Sequence, residues 1–329
     1  MKVMLIGGTG LLGYHAAREL LKREHAVSII ALPPLPAEGL FPQQVTIHLH
    51  DMNQLMDAEL VELLRGQDAV IFAAGVDDRV TPKAPAFPFF YRHNVAATAR
   101  VAQISRQAGV RRFVILGSYF AYFHRLWPHL ELTRHHPYIR SRVEQGAAAR
   151  EAGGGELAVM TLELPYIFGV MPGRMPLWKP LVEYAASVFP LFYPKGGTTC
   201  VTVQQVAQAI SGALENGAPG AYYPIGGENL PWTDLLARIA RYAGRDKRVI
   251  TLPNWLVTAG AALLKGFHKL RGVESGLDPV QFIRLQTAET YIDPEMSRSV
   301  LGYTMGGLDE ALIDTVNVCL NKQDPARGS

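Results

Sequence analysis

A glycine-rich turn near the start of the chain constrains the fold more than any other feature. Residues 2–6 predict a short buried strand, and residues 11–22 carry apolar side chains at helical spacing. A turn that joins strand to helix this tightly brings the backbone close to a bound pyrophosphate, and the helix N-terminus then presents free N–H groups to the anion. The context therefore predicts a dinucleotide-binding site that consists of Gly7, Gly8, Thr9, Gly10, Leu11, Leu12 and Gly13.

Strands and helices alternate over the first two-thirds of the chain. Further strands are predicted at 27–32, 45–49, 69–74, 113–116 and 157–162, with helices between them. This alternation is typical of a parallel sheet covered on both faces. We therefore predict an α/β protein with a Rossmann doubly wound parallel sheet and a smaller, mostly helical C-terminal substrate domain.

The expected domain boundary follows from where this alternation stops. Residues 1–168 are predicted to form the dinucleotide-binding Rossmann domain, and residues 169–329 mainly the substrate domain. Later segments at about 195–227 are expected to return to the first domain, with 201–203 and 221–225 as late strands of the main sheet.

Composition excludes several classes of protein. Hydrophobic residues make up 48% of the 329 residues and charged residues 19%, which is ordinary for a globular chain. The net charge of +3 has no clustered basic face, so no nucleic-acid partner is expected. The two cysteines, Cys200 and Cys319, favour a reducing compartment, and we predict a cytoplasmic protein. The apolar stretch 255–264 is too short to span a bilayer, and we expect it to pack against the protein rather than rest on a membrane.

The part of the sequence that would distinguish NAD from NADP carries no usable side chain. An acidic residue about twenty positions after the glycines would bind the ribose hydroxyls of NAD, and a nearby arginine the 2′-phosphate of NADP. Those positions fall on Ala31 and Leu32. Asp51, after the third strand, has two open interpretations, as a contact of the adenine together with Met52 or as a cap of its own loop.

Ordered motifs along nearly the whole chain resemble those of extended short-chain dehydrogenases/reductases, the NAD-dependent epimerase/dehydratase family. The late segments look closer to its dihydroflavonol reductase and 3β-hydroxysteroid dehydrogenase branch than to sugar epimerases. The motifs that carry the resemblance are GGTGLLG (7–13), AAG (73–75), Asn94, GSYFAY (117–122), PYIRSR (137–142), LPYIFG (164–169), IGGE (225–228) and LGY (301–303).

The resemblance implies a set of site residues and a homodimer formed by the helices that begin near Asn94 and Tyr138. Ser118, Tyr138 and Arg142 correspond to the catalytic Ser, Tyr and Lys of the family, with arginine at the lysine position. Further cofactor contacts are implied at Ala73, Ala74, Gly75, Asn94, Tyr138, Arg142 and Pro165.

Arginine at position 142 leaves two functions open. Positions i and i+4 share a helix face, so Arg142 should lie beside Tyr138 and favour its phenolate, which lowers its pKa toward a useful range. Arginine cannot release a proton in a relay, however. The first hypothesis is an NAD(P)-dependent oxidoreductase or epimerase that acts on a small, hydrophobic molecule, since many aromatic residues occupy the expected substrate loops. The second is a catalytically weak NAD(P)-binding protein that senses redox state or supports an assembly.

A metal is not expected, because four neighbouring histidines match no zinc spacing. They are His124, His129, His135 and His136.

Overall fold

The computed structural model describes residues 1–322 as a seven-stranded parallel sheet between two layers of helices, followed by a smaller unit. The strands are β1 (Lys2–Ile6), β2 (Ala26–Ala31), β3 (Thr46–Leu49), β4 (Ala69–Phe72), β5 (Arg112–Ser118), β6 (Ala158–Leu164), β7 (Tyr166–Phe168), β8 (Leu191–Pro194), β9 (Gly197–Thr202), β10 (Tyr222–Pro224), β11 (Glu228–Pro231), β12 (Val249–Leu252) and β13 (Glu289–Thr290). The helices are α1 (Leu11–Lys22), α2 (Asp57–Leu64), α3 (Phe87–Phe90), α4 (Ala97–Gln107), α5 (Phe120–Leu126), α6 (Leu132–His135), α7 (Pro137–Gly153), α8 (Lys179–Ala186), α9 (Val203–Asn216), α10 (Trp232–Tyr242), α11 (Asn254–Leu270), α12 (Pro279–Gln286), α13 (Glu295–Leu301) and α14 (Leu308–Cys319). A π-helical turn (Tyr91–Ala96) joins α3 to α4, and a 3₁₀ turn (Pro128–Leu130) follows α5.

The main sheet has the strand order β3-β2-β1-β4-β5-β6-β10. This is the doubly wound order, in which the chain reverses direction across the sheet between β1 and β4. Successive side chains of a strand point to opposite faces. Accordingly, Val3 and Leu5 pack under α1 and α9, whereas Met4 and Ile6 pack under α2 and α4. The predicted Rossmann fold is confirmed.

The smaller unit combines short strands with helices. Strands β11, β9 and β13 form a second sheet, to which β7 adds through β9, and β8 pairs with β12. Helices α8, α10 and α14 pack on this sheet around a core that includes Phe168, Leu235 and Leu312. The predicted boundary at residue 168 stays a prediction; β7, which ends there, already pairs with β9 of the small sheet. Residues 323–329 of the predicted second domain lie outside the described residues.

Two expectations about the later segments are wrong. Residues 201–203 do not join the main sheet, because β9 pairs with β7, β11 and β13 of the small sheet; residues 222–224 do join it as β10. The stretch 255–264 packs much less than expected: it lies in α11, which contacts α12 along one side, and none of the α11 residues is buried. Within residues 1–322 no helix is both long and apolar enough to cross a membrane.

Candidate active site

The glycine turn lies at the carboxyl end of β1 and tolerates no side chain at its closest points. Gly7 has φ +83°, and a Cβ at Gly13 would come within 2.6 Å of the Gly7 carbonyl oxygen. The backbone therefore folds onto the first turn of α1, where the Gly10 N–H donates to the Gly7 carbonyl (3.0 Å). Among the described residues, no side chain caps the N-terminus of α1. The free N–H groups and the uncovered backbone form a cradle suited to an anion.

A cation that lies 165 residues later in the sequence contacts the same turn. Arg174 Nε donates to the Thr9 carbonyl oxygen (3.1 Å), and the Arg174 side chain is otherwise exposed. Because its Nε is bound to the turn, the guanidinium lies at the turn, where a cation could pair with a phosphate. Sequence reasoning missed Arg174, since nothing in its local pattern marks a residue so far along the chain.

One cavity of about 540 Å³ runs from the glycine turn across the carboxyl ends of β4, β5 and β6. Ligands of doubly wound sheets bind at this edge, where the strand order reverses. The predicted site residues that line the cavity are Gly10, Leu11, Leu12, Gly13, Ala73, Ala74, Gly75, Ser118, Tyr138, Arg142 and Pro165.

Ser118, Tyr138 and Arg142 converge on the middle of this cavity. Ser118 is the last residue of β5, and Tyr138 lies in the first turn of α7; both are about one-twentieth exposed. The guanidinium carbon of Arg142 lies 5.2 Å from the centre of the Tyr138 ring. Phe90 and Phe120 cover the ring edge-on from two other directions. The tyrosine hydroxyl is thus held in an apolar collar with one serine and one cation beside it.

The pKa of Tyr138 departs from the sequence-based expectation. Burial raises the pKa of the phenol above its ordinary value of 10.0, and this effect outweighs the nearby charge of Arg142, which lowers it. The carboxylate of Asp78 raises the pKa further, while the polar groups of Arg142 and Ser118 beside the phenol lower it. The predicted net lowering is therefore wrong, although Arg142 does act in the predicted direction. The neutral phenol is the favoured form, which suits a proton donor.

Asn94 supports the site from behind its wall. The side chain is fully buried in the π-helical turn: its Oδ1 accepts from the Val76 N–H (2.9 Å), and its Nδ2 donates to the Ser141 hydroxyl (3.1 Å). Ser141 in turn donates to the Tyr138 carbonyl (2.7 Å). Arg142 also donates to the carbonyl of Val76 (3.2 Å). Asn94 therefore fixes the loop after β4 against the start of α7, and it does not line the cavity.

The loop after β4 also brings an acid into the cavity that sequence reasoning missed. Asp78 lines the cavity together with Asp77 and Arg79. Arg79 pairs with Asp77 (3.0 Å) and stacks over the Trp178 ring (5.3 Å), which leaves the Asp78 carboxylate facing the cleft. Burial raises the pKa of Asp78, against the lowering charge of Arg79. The signal in the sequence was an acidic pair, Asp77 and Asp78, in the loop that begins after the buried strand β4, at the sheet edge where ligands bind.

Asp51 and Met52, which were predicted to contact the adenine, do not line the cavity. The Asp51 carboxylate accepts from the Asn53 N–H and from its side-chain amide (3.0 Å each), which is the loop-capping arrangement. Met52 is buried in the core against α4, and its carbonyl accepts from Arg100 (2.8 Å). Gly7, Gly8 and Thr9 shape the turn without lining the cavity. An adenine contact by Asp51 and Met52 stays a prediction.

A family model described as NAD(P)H-binding matches residues 7–216, the span that contains the glycine turn and the Ser118–Tyr138–Arg142 group. The chain belongs to the extended short-chain dehydrogenase/reductase family. The predicted membership is confirmed, and with it an enzyme of the NAD(P)-dependent type.

The curated relatives of this family member include epimerases and dehydrogenases. A UDP-glucose 4-epimerase of Klebsiella pneumoniae is 31% identical over 134 residues, which cover 37% of this chain and 92% of the relative. A sterol-4-alpha-carboxylate 3-dehydrogenase (decarboxylating) of Mus musculus is 24% identical over 341 residues, covering 96% of this chain and 90% of the relative.

Solved structures share the fold over nearly the whole chain. The crystal structure of gox2253 superposes with a TM-score of 0.78 at 19% identity and covers 98% of this chain and 99% of its own. The structure of MoeE5 in complex with UDP-glucuronic acid and NAD gives a TM-score of 0.69 at 21% identity, covering 98% of this chain and 100% of its own. At these identities the likeness establishes the fold.

The residues present fit the dinucleotide that the family binds. A Cβ at Gly7 or Gly13 would lie within 3 Å of backbone atoms, so only glycine leaves the anion cradle open. One continuous cavity leads from the cradle to Tyr138. The two terminal nitrogens of Arg142 donate hydrogen bonds to Gln145 and to the carbonyl of Val76. Its Nε is buried and has no partner among the described residues, so it is available to a bound cofactor. Within residues 1–322 no group of three or more His, Cys, Asp or Glu side chains is arranged to hold a metal ion.

Proposed function

We propose that this chain is an NAD-dependent oxidoreductase that moves hydride between the nicotinamide and the carbonyl or hydroxyl carbon of an apolar small molecule. The observation that carries the proposal is the single cavity lined by Gly10, Gly13, Ser118 and Tyr138. It joins an anion cradle to a buried serine–tyrosine pair, which is the arrangement that hydride transfer to a carbonyl requires. The nicotinamide supplies or accepts the hydride when bound.

Tyr138 is the proposed acid and base. In ketone reduction its phenol donates the proton that the carbonyl oxygen takes up, while the Ser118 hydroxyl orients that oxygen. The guanidinium of Arg142 stabilises the phenolate that remains. Since an arginine side chain does not relay protons, we propose that water reprotonates the phenolate.

An apolar substrate is supported by the walls of the cavity beyond Tyr138. These walls are formed by Val80, Phe120, Tyr166, Leu177 and Trp178. Asp77 and Arg79 also line the cavity but pair with each other, and we propose that the Asp78 carboxylate accepts a hydrogen bond from a hydroxyl or amine of the substrate. The full-length similarity to a sterol dehydrogenase agrees with this chemistry.

NAD is the proposed cofactor because the segment after β2, where a 2′-phosphate would bind, supplies no cation of its own, and Arg100, which reaches the carbonyl of Met52, is paired with Asp57 (2.7 Å). The segment from Ala31 to Met56 contains no Lys or Arg, and neither does the glycine turn. A 2′-phosphate needs at least one such partner, whereas ribose hydroxyls need only an acceptor. Asp51, in the loop after β3, is the acceptor that we propose for that contact.

Nucleotide-sugar epimerisation is the second candidate. It is supported by the similarity to a UDP-glucose 4-epimerase and by the extra cation at Arg174. That similarity spans a little over a third of the chain, which is why we rank a dehydrogenase or reductase first. A catalytically weak binding protein is the least favoured, because Ser118 and Tyr138 both face the cavity.

We also propose that the protein is a homodimer and that it is cytoplasmic. A homodimer through α4 and α7 would follow the family pattern. A cytoplasmic location fits Cys200 and Cys319, which are both free and buried.

The proposal is tested by replacing Tyr138 against a matched control. Tyr138→Phe should lower turnover on a panel of ketones by at least about 100-fold, the usual contribution of a proton donor, and leave NADH binding unchanged. Tyr122→Phe is the control, since the Tyr122 hydroxyl contacts only the Met296 sulfur (3.6 Å) among its described neighbours. Equal activity of both variants would refute the role of Tyr138, and NADH binding without turnover in the wild type would favour the binding protein.

A further inference from the structure

Helix α11 is the largest apolar element of the protein that remains exposed. It has the sequence NWLVTAGAALLKGFHKL, and none of its 17 residues is buried. Trp255 is 71% exposed, Leu263 78% and Leu270 88%, with Leu256, Leu264 and Phe267 also exposed. A helix that is apolar on most sides is normally enclosed by protein or lipid. Exposed apolar surface on this scale marks an interaction site.

The exposed surface continues beyond the helix. Strand β12 ends two residues before α11 and carries the exposed Ile250, which pairs in register with the exposed Phe192 of β8. Lys247 donates to the carbonyl of Phe189 (2.9 Å) and so ties the exposed turn at Val188 and Phe189 to the start of β12. We call α11, β12 and the turn at 188–189 the α11 surface.

Charge on the α11 surface identifies the partner. Between Arg245 and Val273 the chain has a single acidic residue, Asp246, and six cationic ones: Arg245, Lys247, Arg248, Lys265, Lys269 and Arg271. Tryptophan, leucine and phenylalanine bordered by lysine and arginine are typical of helices that lie in the headgroup region of a bilayer. Anionic headgroups attract such cations, whose aliphatic stems remain in contact with the apolar face.

A second copy of the chain fits this surface poorly. A two-fold contact would place the same patch on both sides. Lys265 is paired with Asp278 of the same chain (2.5 Å), and the other five cations with the one carboxylate of Asp246 would then face the same set, which leaves most of the like charges without a partner. We propose that the α11 surface docks on an anionic lipid membrane, with α11 parallel to the bilayer plane.

Docking at α11 would reach the catalytic cleft through the segment that follows the helix. Gly272 accepts a hydrogen bond from the Ala84 N–H (3.0 Å), and Gly276 accepts one from the Tyr138 N–H (2.9 Å). A Cβ at Gly276 would lie 2.9 Å from that of Tyr138, so the segment is a wall of the tyrosine pocket. The docked helix would hold this wall at the lipid surface, where an apolar substrate partitions. This last step rests on the proposed function, whereas the docking does not.

The test is co-sedimentation of the full chain with vesicles of phosphatidylcholine alone or mixed with phosphatidylglycerol. The wild type should sediment with the anionic vesicles, and a blue shift of tryptophan emission should disappear in Trp255→Phe. The double variant Leu263→Asp/Phe267→Asp, and separately Lys269→Glu/Arg271→Glu, should each weaken binding by at least about tenfold. Leu126→Asp, at a half-exposed leucine of α5, is the matched control and should bind like the wild type.

Dinucleotide binding by each variant verifies its fold and is independent of lipid. The proposal is overturned if the wild type stays in the supernatant with both kinds of vesicle, a result that needs no variant. It is also overturned if light scattering finds a dimer that Leu263→Asp/Phe267→Asp converts to a monomer, because a second copy would then cover α11.

Discussion

At the scale of single residues, the chemistry of the cleft depends on how Tyr138 holds its proton. Burial within an aromatic collar raises the pKa of the phenol, and the charge of Arg142 opposes that rise. A raised pKa keeps the phenol protonated at neutral pH, which favours reduction over oxidation. Alcohol oxidation needs the phenolate, and its rate should therefore increase as the pH rises.

Replacing Arg142 tests this balance. Without the cation that lowers it, the pKa of Tyr138 should rise further in Arg142→Met, so the inflection of alcohol oxidation moves to higher pH. At a fixed pH below the inflection, the rate should fall on the order of tenfold for each pH unit by which the inflection moves. Arg142→Lys keeps the charge and should retain or increase turnover. Identical pH profiles of wild type and Arg142→Met would contradict the assigned role.

At Asp78 the proposed contact with the substrate comes at the cost of the stability of the fold. Since burial raises its pKa, the carboxylate is less stable in the fold than in water, and Asp78→Asn should raise the thermal midpoint. Loss of a charged hydrogen bond to the substrate should raise KM about 10- to 100-fold, with a smaller effect on kcat. Asp77→Asn, which removes only the pair with Arg79, serves as the control. A lower thermal midpoint with unchanged KM would mean that Asp78 is structural.

The sequence predicted Ser118, Tyr138 and Arg142, because order and spacing within a motif survive folding. Asp78 and Arg174 were missed, because their roles arise only when distant loops meet at one sheet edge. The direction of the net change in the pKa of Tyr138 was also missed. Its sign depends on burial, and no i,i+4 spacing reports how deeply a side chain lies.

At the scale of secondary-structure elements, the junction between α7 and α12 holds the tyrosine pocket together. His136 precedes α7, is buried, and accepts at Nδ1 from the Asp278 N–H (3.0 Å) at the start of α12. That bond places the ring proton on Nε2, which has no partner in the described structure. Burial lowers the pKa of His136 to about 4, against the raising charge of Asp278.

The junction should make stability sensitive to acid. A lowered pKa in the fold means that the stabilising contribution is complete above the unfolded value of 6.5 and is lost as the pH falls toward 4. The loss amounts to up to about 3 kcal/mol of unfolding free energy. His136→Asn keeps an acceptor for Asp278 and removes the titration, so the stability of the wild type relative to this variant should decline as the pH falls from 6.5 to 4 in denaturation experiments. A constant difference in unfolding free energy between the wild type and His136→Asn across that range would contradict this role of His136.

The prediction of strands and helices succeeded where it depended on local periodicity. It failed where it depended on which strands pair over long distances in the sequence. The strands and helices of the Rossmann half follow from apolar runs and glycine breaks. By contrast, β9 is fully buried like a central strand, and its sequence does not reveal that its neighbours are β7, β11 and β13. The prediction that residues 255–264 pack against the protein rests on the absence of a basic face within that stretch, whereas the cations of the α11 surface lie on either side of it. Composition alone does not distinguish burial in protein from contact with lipid.

At the scale of the whole molecule, the parallel sheet brings the anion cradle, the tyrosine pocket and the substrate walls to one edge. The glycine turn follows β1, Asp78 follows β4, and Ser118 ends β5. Parallel strands direct all their carboxyl ends to the same side, which is why residues more than a hundred positions apart line one cavity. The central claim is that this cavity transfers hydride to a carbonyl carbon.

Transfer of label from deuterated cofactor tests that claim most directly. Wild-type protein incubated with NADH deuterated at C4 and a panel of apolar ketones should place deuterium on the carbinol carbon of a product, detected by mass spectrometry. NADPH carrying the same label should react more slowly, and Tyr138→Phe should give no product. Binding of NADH with no deuterated product from any ketone, and deuterium retained on the cofactor throughout, would contradict the account.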